Sequence, residues 1–255
     1  SLLEQLFALL PRKMKNVADY LLPADADPEQ IQNVIDRETD LLRMMETQMQ
    51  ALPSNDSKEK TLLEEWNLSI TPVNNEKELW QIKRHMGHSA DCFSKAFRVK
   101  NSNRDNAFWN YYDKHNYHKE DIHYWYHGSR NMNCLSILHN GLILNPKAPK
   151  VGHMFGYGIY LAPKAKKSIG YTSLNGSFWV HGTSDKAYLF VMKTVYKSPY
   201  HVYTWTSGMK SLTKSRISPH DAVFAHAGTS LRNDEVVIFD DAQVTLQYII
   251  ELKQQ

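Results

Sequence analysis

The sequence predicts an α+β fold in which a small helical region precedes antiparallel sheets. Residues 1–65 carry helical periodicity and no strand signal. Short apolar runs dominate the last two-thirds of the chain, which favours antiparallel sheets over a doubly wound parallel one. The glycine-rich stretch Met154–Ala162 is neither G-x-G-x-x-G nor a Walker A loop, so it supports no Rossmann or P-loop phosphate cradle. The expected division is a helical unit over 1–65 and a sheet-rich unit over 66–255.

In the first unit, Leu2, Leu3, Leu6, Leu9 and Leu10 share a helical face and Pro11 ends the turn. Pro23–Pro28 is a break. Asp27 is a candidate N-cap with Pro28 at the first helical position. Ile31, Val34, Ile35, Leu42, Met45, Met49 and Leu52 then recur at helical spacing, giving a long amphipathic helix that reads as a packing layer. Pro53-Ser54-Asn55-Asp56 ends it, and the polar run to Lys60 reads as a linker.

From Trp66 the pattern changes. Leu68–Val73 suggests a first strand, Glu76–His88 a helix, Ala96–Lys100 a short strand and Arg104–Tyr112 another helix. On a strand over Ile122–His127, His123, Trp125 and His127 share one face, and Tyr124 and Tyr126 take the other. A short helix through Leu135, Ile137 and Leu138 follows, capped by Ser129 or Asn131 and ended by Gly141. Ala187–Val195 reads as a strand, Tyr196–Arg216 as a weak hairpin, and Val236–Phe239 as a short buried strand. Val244, Leu246, Tyr248, Ile250 and Leu252 alternate along a closing strand.

Composition narrows the function class. The chain of 255 residues is 42% hydrophobic and 22% charged, ordinary for a globular protein with a real core. Thirty basic residues nearly balance 27 acidic ones, for a net charge of +3, too mild to argue for nucleic-acid binding alone. Two cysteines make no disulfide framework and favour a reducing compartment. No apolar run approaches membrane-spanning length and no signal peptide is visible, so neither a membrane partner nor secretion is expected. The chain starts with Ser rather than Met, which suggests a fragment with domains upstream.

The chemistry-bearing residues gather in Tyr126-His127-Gly128-Ser129-Arg130, in Gly156–Ala162, in Ser168 and Tyr171, and in Asn233-Asp234-Glu235 at the head of an apolar run. The histidines His115, His118, His123 and His127 come with no Cys pair and no H-E-x-x-H spacing, so they do not support a zinc site. No Ser-His-Asp or Cys-His order singles out acyl transfer, and no close carboxylate pair marks a glycosidase. The residues alone give a candidate site with no assigned reaction.

Tyr126–Arg130, Gly152–Tyr160, Lys167–Tyr171 and Asn233–Tyr248 resemble, in order and spacing, the catalytic domain of poly(ADP-ribose) polymerases. Residues 1–65 more weakly resemble the end of the helical regulatory subdomain that precedes it. The resemblance implies the family's split-sheet ADP-ribosyltransferase fold and NAD as substrate, with no metal. It implies cleavage of the nicotinamide–ribose bond and transfer of ADP-ribose to protein acceptors and growing chains, linked to DNA damage and DNA repair. It further implies DNA contact only through upstream domains, and a nuclear location in a eukaryote or a cytoplasmic one in a prokaryote.

Carried over, His127, Tyr160 and Glu235 are the catalytic set. Gly128 holds the nicotinamide amide through its backbone and Ser168 through its hydroxyl. Tyr171 stacks on the ring, Tyr160 forms another wall, and His127 bonds a ribose hydroxyl. Ser129 and Asn133 line the adenosine side, and the loop Pro146–Tyr157 borders the donor site. Two departures matter: Ile143 stands where close relatives often carry a basic residue, and Asn233-Asp234 precede Glu235 where chain-building relatives often carry a Tyr. Mono-transfer, a non-catalytic NAD- or ADP-ribose-sensing module and NAD hydrolysis are the alternatives. Asp40 faces either the NAD pocket or solvent.

Overall fold

A computed structural model describes residues 21–23, 25–50, 60–144 and 154–254. The leucine-rich start, the 54–60 linker except its last residue, and most of the 146–157 loop lie outside these residues.

The first described helix, α1 (Pro28–Gln50), begins where the cap pattern places it. The Gln30 amide donates to Asp27 Oδ1 at 2.8 Å, and the Asp27 amide donates to Gln30 Oε1 at 3.0 Å. Its packing face differs from the one read in the sequence. Ile31, Ile35, Leu42 and Met49 are exposed, whereas Gln32, Glu38 and Thr47 are buried. Burial of polar residues is tolerated because their polar atoms find partners within the helix. Gln32 Nε2 donates to Asp36 at 3.0 Å, Thr47 Oγ1 to the Arg43 carbonyl at 2.8 Å, and Glu38 pairs with Arg37 at 3.2 Å.

The remaining elements are α2 (Leu62–Glu65), β1 (Leu68–Pro72), α3 (Glu76–Met86), β2 (Phe93–Asn101), α4 (Ser102–Lys114), β3 (Ile122–Gly128), α5 (Cys134–Asn140), β4 (Ile159–Leu161), α6 (Ala165–Ile169), β5 (Lys186–Val195), β6 (Pro199–Val202), β7 (Ala222–Ala225), β8 (Glu235–Ile238) and β9 (Val244–Lys253). They form a five-stranded sheet in the order β1-β2-β9-β5-β3 and a four-stranded sheet in the order β4-β8-β7-β6. Among the described residues every pairing between these strands is antiparallel except β6 with β7. The weak hairpin over 196–216 is therefore a correction. β6 leaves the sheet through a loop that carries a 3-10 turn at Ser207–Ser211 and returns as β7 running the same way. A tight hairpin can join only antiparallel strands, and this connection is longer.

Strand β5 shows why the site sits where it does. Its near-continuous apolar run is buried on both faces. Phe190 and Met192 pack with Leu161, Ile238 and Leu246 toward the second sheet. Leu189 and Val191 pack with Ile82, Met86, Tyr126 and Ile250 under α3. Strand β9, central between β2 and β5, departs from simple alternation. Val191 faces Tyr248 and Met192 faces Leu246, which leaves Gln247 as a bulge residue. The phase flips there, so Ile249 joins Leu246 on one face while Ile250 and Leu252 turn to the other.

Near α5 neither Ser129 nor Asn131 is the cap. A 3-10 turn, Asn131–Asn133, leads into the helix, the cap position falls to Asn133 without a side-chain bond, and Gly141 ends the helix as expected. Replacing Phe190, fully buried between the two sheets, by Ala should lower unfolding stability by about 3–5 kcal/mol. Urea denaturation followed by circular dichroism measures it.

Candidate active site

Two backbone crossings bring the predicted residues together. Tyr126 exchanges paired hydrogen bonds with Ala162, each 2.9 Å, so β3 of one sheet is tied to the end of β4 of the other. One residue on, His127 Nδ1 donates to the Tyr160 carbonyl at 3.1 Å. A carbonyl only accepts, so Nδ1 carries the proton.

Gly128 comes next, against α6. A Cβ there would lie 1.7 Å from the Ser168 carbonyl oxygen, a backbone atom that no rotamer change moves. The strand that carries His127 can approach the helix that carries Ser168 only because residue 128 has no side chain. Ser168 is buried and Tyr171 is part-exposed just past the helix end.

Tyr160 lies on β4 opposite Val237 of β8. Its hydroxyl donates to the Gly156 carbonyl at 2.8 Å and accepts from the Phe155 amide at 3.0 Å, which fixes the ring. Gly156 makes that turn at φ +80°, a conformation few other residues adopt. Burial pushes the Tyr160 phenol well above its ordinary pKa, and the charge of Glu235 adds to the rise. Burial and then Glu235 raise Tyr171 as well. Both phenols therefore stay protonated.

Glu235 opens β8 beside Ala225 of β7. Its Oε1 lies 2.8 Å from Lys167 Nζ, with both side chains largely buried, at 12% and 11% exposure. Lys167 was assigned no role from the sequence. In the sequence it is marked by no more than its place immediately before Ser168.

Ser129 and Asn133 meet each other, Asn133 Nδ2 donating to Ser129 Oγ at 2.9 Å on the turn after β3. Ile143 is exposed beyond α5. Asp40 is exposed on α1, its Oδ1 3.8 Å from Arg43 Nη1. The other histidines of the 115–127 segment are packing residues or surface residues. His115 stacks on Tyr111 at 3.9 Å and His123 on Tyr196 at 4.2 Å. Among the described residues no three His, Cys, Asp or Glu side chains converge in a metal-holding group.

The family model of the poly(ADP-ribose) polymerase catalytic domain matches residues 76–254. The chain is 31% identical over 147 residues to poly(ADP-ribose) polymerase of Drosophila melanogaster, covering 50% of this chain and 15% of that protein. It is 25% identical over 222 residues to poly(ADP-ribose) polymerase 2 of Arabidopsis thaliana, covering 73% of this chain and 33% of that protein. It is 47% identical over 57 residues to poly(ADP-ribose) polymerase 2 of Homo sapiens, covering 21% of this chain and 10% of that protein. The matched region spans about a third or less of the length of these relatives.

Gly128→Ala should abolish binding of benzamide, a nicotinamide mimic, because the new methyl forces β3 and α6 apart. Isothermal titration measures it, with circular dichroism as the check that the sheets persist.

Proposed function

Because the chain belongs to the poly(ADP-ribose) polymerase catalytic-domain family, we propose that it transfers ADP-ribose from NAD to protein acceptors and extends the product into chains. The observation that carries this reading is the close approach of Gly128 to Ser168, with Glu235 held by Lys167 beside the same helix. That arrangement supplies a carboxamide cradle and a carboxylate at its edge.

The chain's residues divide the work as follows. The Gly128 backbone and the Ser168 hydroxyl grip the nicotinamide carboxamide. Tyr171 offers its ring face to a cationic pyridinium, an interaction that electrostatics favours. Tyr160, immobilised through its hydroxyl, closes another side. His127 Nε2 accepts from a ribose hydroxyl, oriented by its Nδ1 bond to the Tyr160 carbonyl. Ser129 and Asn133 face the adenosine half.

The bond from ribose C1′ to the nicotinamide nitrogen breaks, and its electron pair leaves with neutral nicotinamide. Positive charge develops at the sugar, and the Glu235 carboxylate stabilises it through the ribose hydroxyl it bonds. The acceptor hydroxyl's oxygen then bonds to C1′ and its proton passes to solvent water, with Glu235 orienting the hydroxyl. Lys167 sets the position of that carboxylate.

Chain extension is the finer part of the proposal, supported by His127, Tyr160 and Glu235 standing together. A link to DNA damage and repair, contact with DNA through further domains, and a nuclear setting follow from the same family resemblance. A specific observation favours mono-transfer as a second reading. Asp234 spends its Oδ1 on the Ala227 amide at 2.7 Å, so the lead-in to Glu235 is committed to holding its loop.

Incubating the protein with radiolabelled NAD and resolving products on a gel tests the reading. A polymer ladder supports it. Single additions reduce it to mono-transfer, dominant free ADP-ribose to hydrolysis, and no nicotinamide release to a sensing module. Glu235→Gln should remove the ladder first and lower transfer by about 100- to 1,000-fold; unchanged chain length in that variant contradicts the role given to Glu235.

A further inference from the structure

Beside the candidate site, the loop Leu174–Ser184 folds back on itself. Its base is closed by the Asn175 amide donating to the Ser184 carbonyl at 2.9 Å and by the Ser184 amide donating to the Ser173 carbonyl at 2.9 Å. Inside it, the Gly182 amide donates to the buried Ser177 Oγ at 2.8 Å. At its tip Phe178 and Trp179 are more than half exposed, at 59% and 54%. Two large aromatic residues left so open are not there to fill a core.

Trp179 instead makes three contacts with the end of α6. Its amide donates to the Gly170 carbonyl at 2.9 Å. Its ring lies so near Gly170 that a Cβ there would be 2.9 Å from Cδ1. The indole stacks on Tyr171, with centroids 5.8 Å apart and planes 18° apart. Phe178 supports the indole edge-on at 4.6 Å and carries the Arg232 guanidinium 5.8 Å from its ring centroid. Arg232 lies three residues before Glu235.

We propose that Trp179 is a positioning residue, fixing the Tyr171 ring in the orientation that stacks on nicotinamide. This rests on the NAD reading above. Tyr171 sits past the helix end with 38% of its surface open, and a free phenol ring there would sample several rotamers. A ring held in advance costs less to order when substrate binds. The loop's closed base keeps the indole in place, so the restraint is built into the fold before any ligand arrives.

Kinetics of nicotinamide release separate this role from a structural one. Trp179→Ala should raise KM for NAD by about fivefold to tenfold, the scale of one aromatic contact, and leave kcat within about twofold. Trp179→Phe, which keeps a ring face, should recover most of the loss. Trp179→Leu, which keeps apolar bulk without a ring face, should behave like the alanine variant. Benzamide binding measured by calorimetry should weaken by the same factor as KM rises. A wild-type KM in either the Ala or Leu variant, or a fall in kcat alone, overturns the assignment. Absence of nicotinamide release by the unsubstituted chain overturns the NAD reading itself, and benzamide affinity unchanged by Trp179→Ala then also rejects the positioning role.

Discussion

The backbone at Gly128 passes so near the Ser168 carbonyl that a Cβ would lie 1.7 Å from it, and the candidate site depends on that contact. It sets how far β3 descends toward α6, and so where His127 stands relative to Ser168 and Tyr171. Two residues earlier on β3, the paired bonds between Tyr126 and Ala162 tie the same strand to the end of β4. The candidate site is therefore placed by backbone crossings. Its side chains inherit their positions from them.

Packing beneath the site makes those crossings stable. β5 is buried on both faces, so it ties the helix-covered side of the five-stranded sheet to the four-stranded sheet. β4 and β8 then carry Tyr160 and Glu235 to the rim of that contact. Glu235 finds Lys167 there at 2.8 Å, and its charge reaches Tyr160 and Tyr171. The rim thus carries a carboxylate paired with a lysine, its charge felt by two protonated phenols.

Much of this was legible in the sequence, and the misses have physical causes. Strands with a clean period or a buried run, such as β3 and β5, were placed nearly to the residue. The stripe on α1 misled, because helical periodicity shows that a helix has an apolar face and does not say which neighbour meets it. The bulge at Gln247 left no mark in an alternating pattern. The parallel pairing of β6 with β7 depends on a loop path that local sequence does not encode. At the site, His127, Gly128, Tyr160, Ser168, Tyr171 and Glu235 stood out through their combined spacing. Lys167 and Trp179 did not, since a lysine on a short helix and a tryptophan on a loop look ordinary until the fold sets them against Glu235 and Tyr171.

The most direct measurement is a crystal structure with benzamide adenine dinucleotide, an NAD analogue that cannot release its base. The account predicts the carboxamide between the Gly128 backbone and Ser168 Oγ, the base ring on Tyr171, a ribose hydroxyl on His127 Nε2 and the Glu235 carboxylate at the adjoining sugar. An analogue bound elsewhere, or bound with its carboxamide away from Gly128 and Ser168, would contradict it.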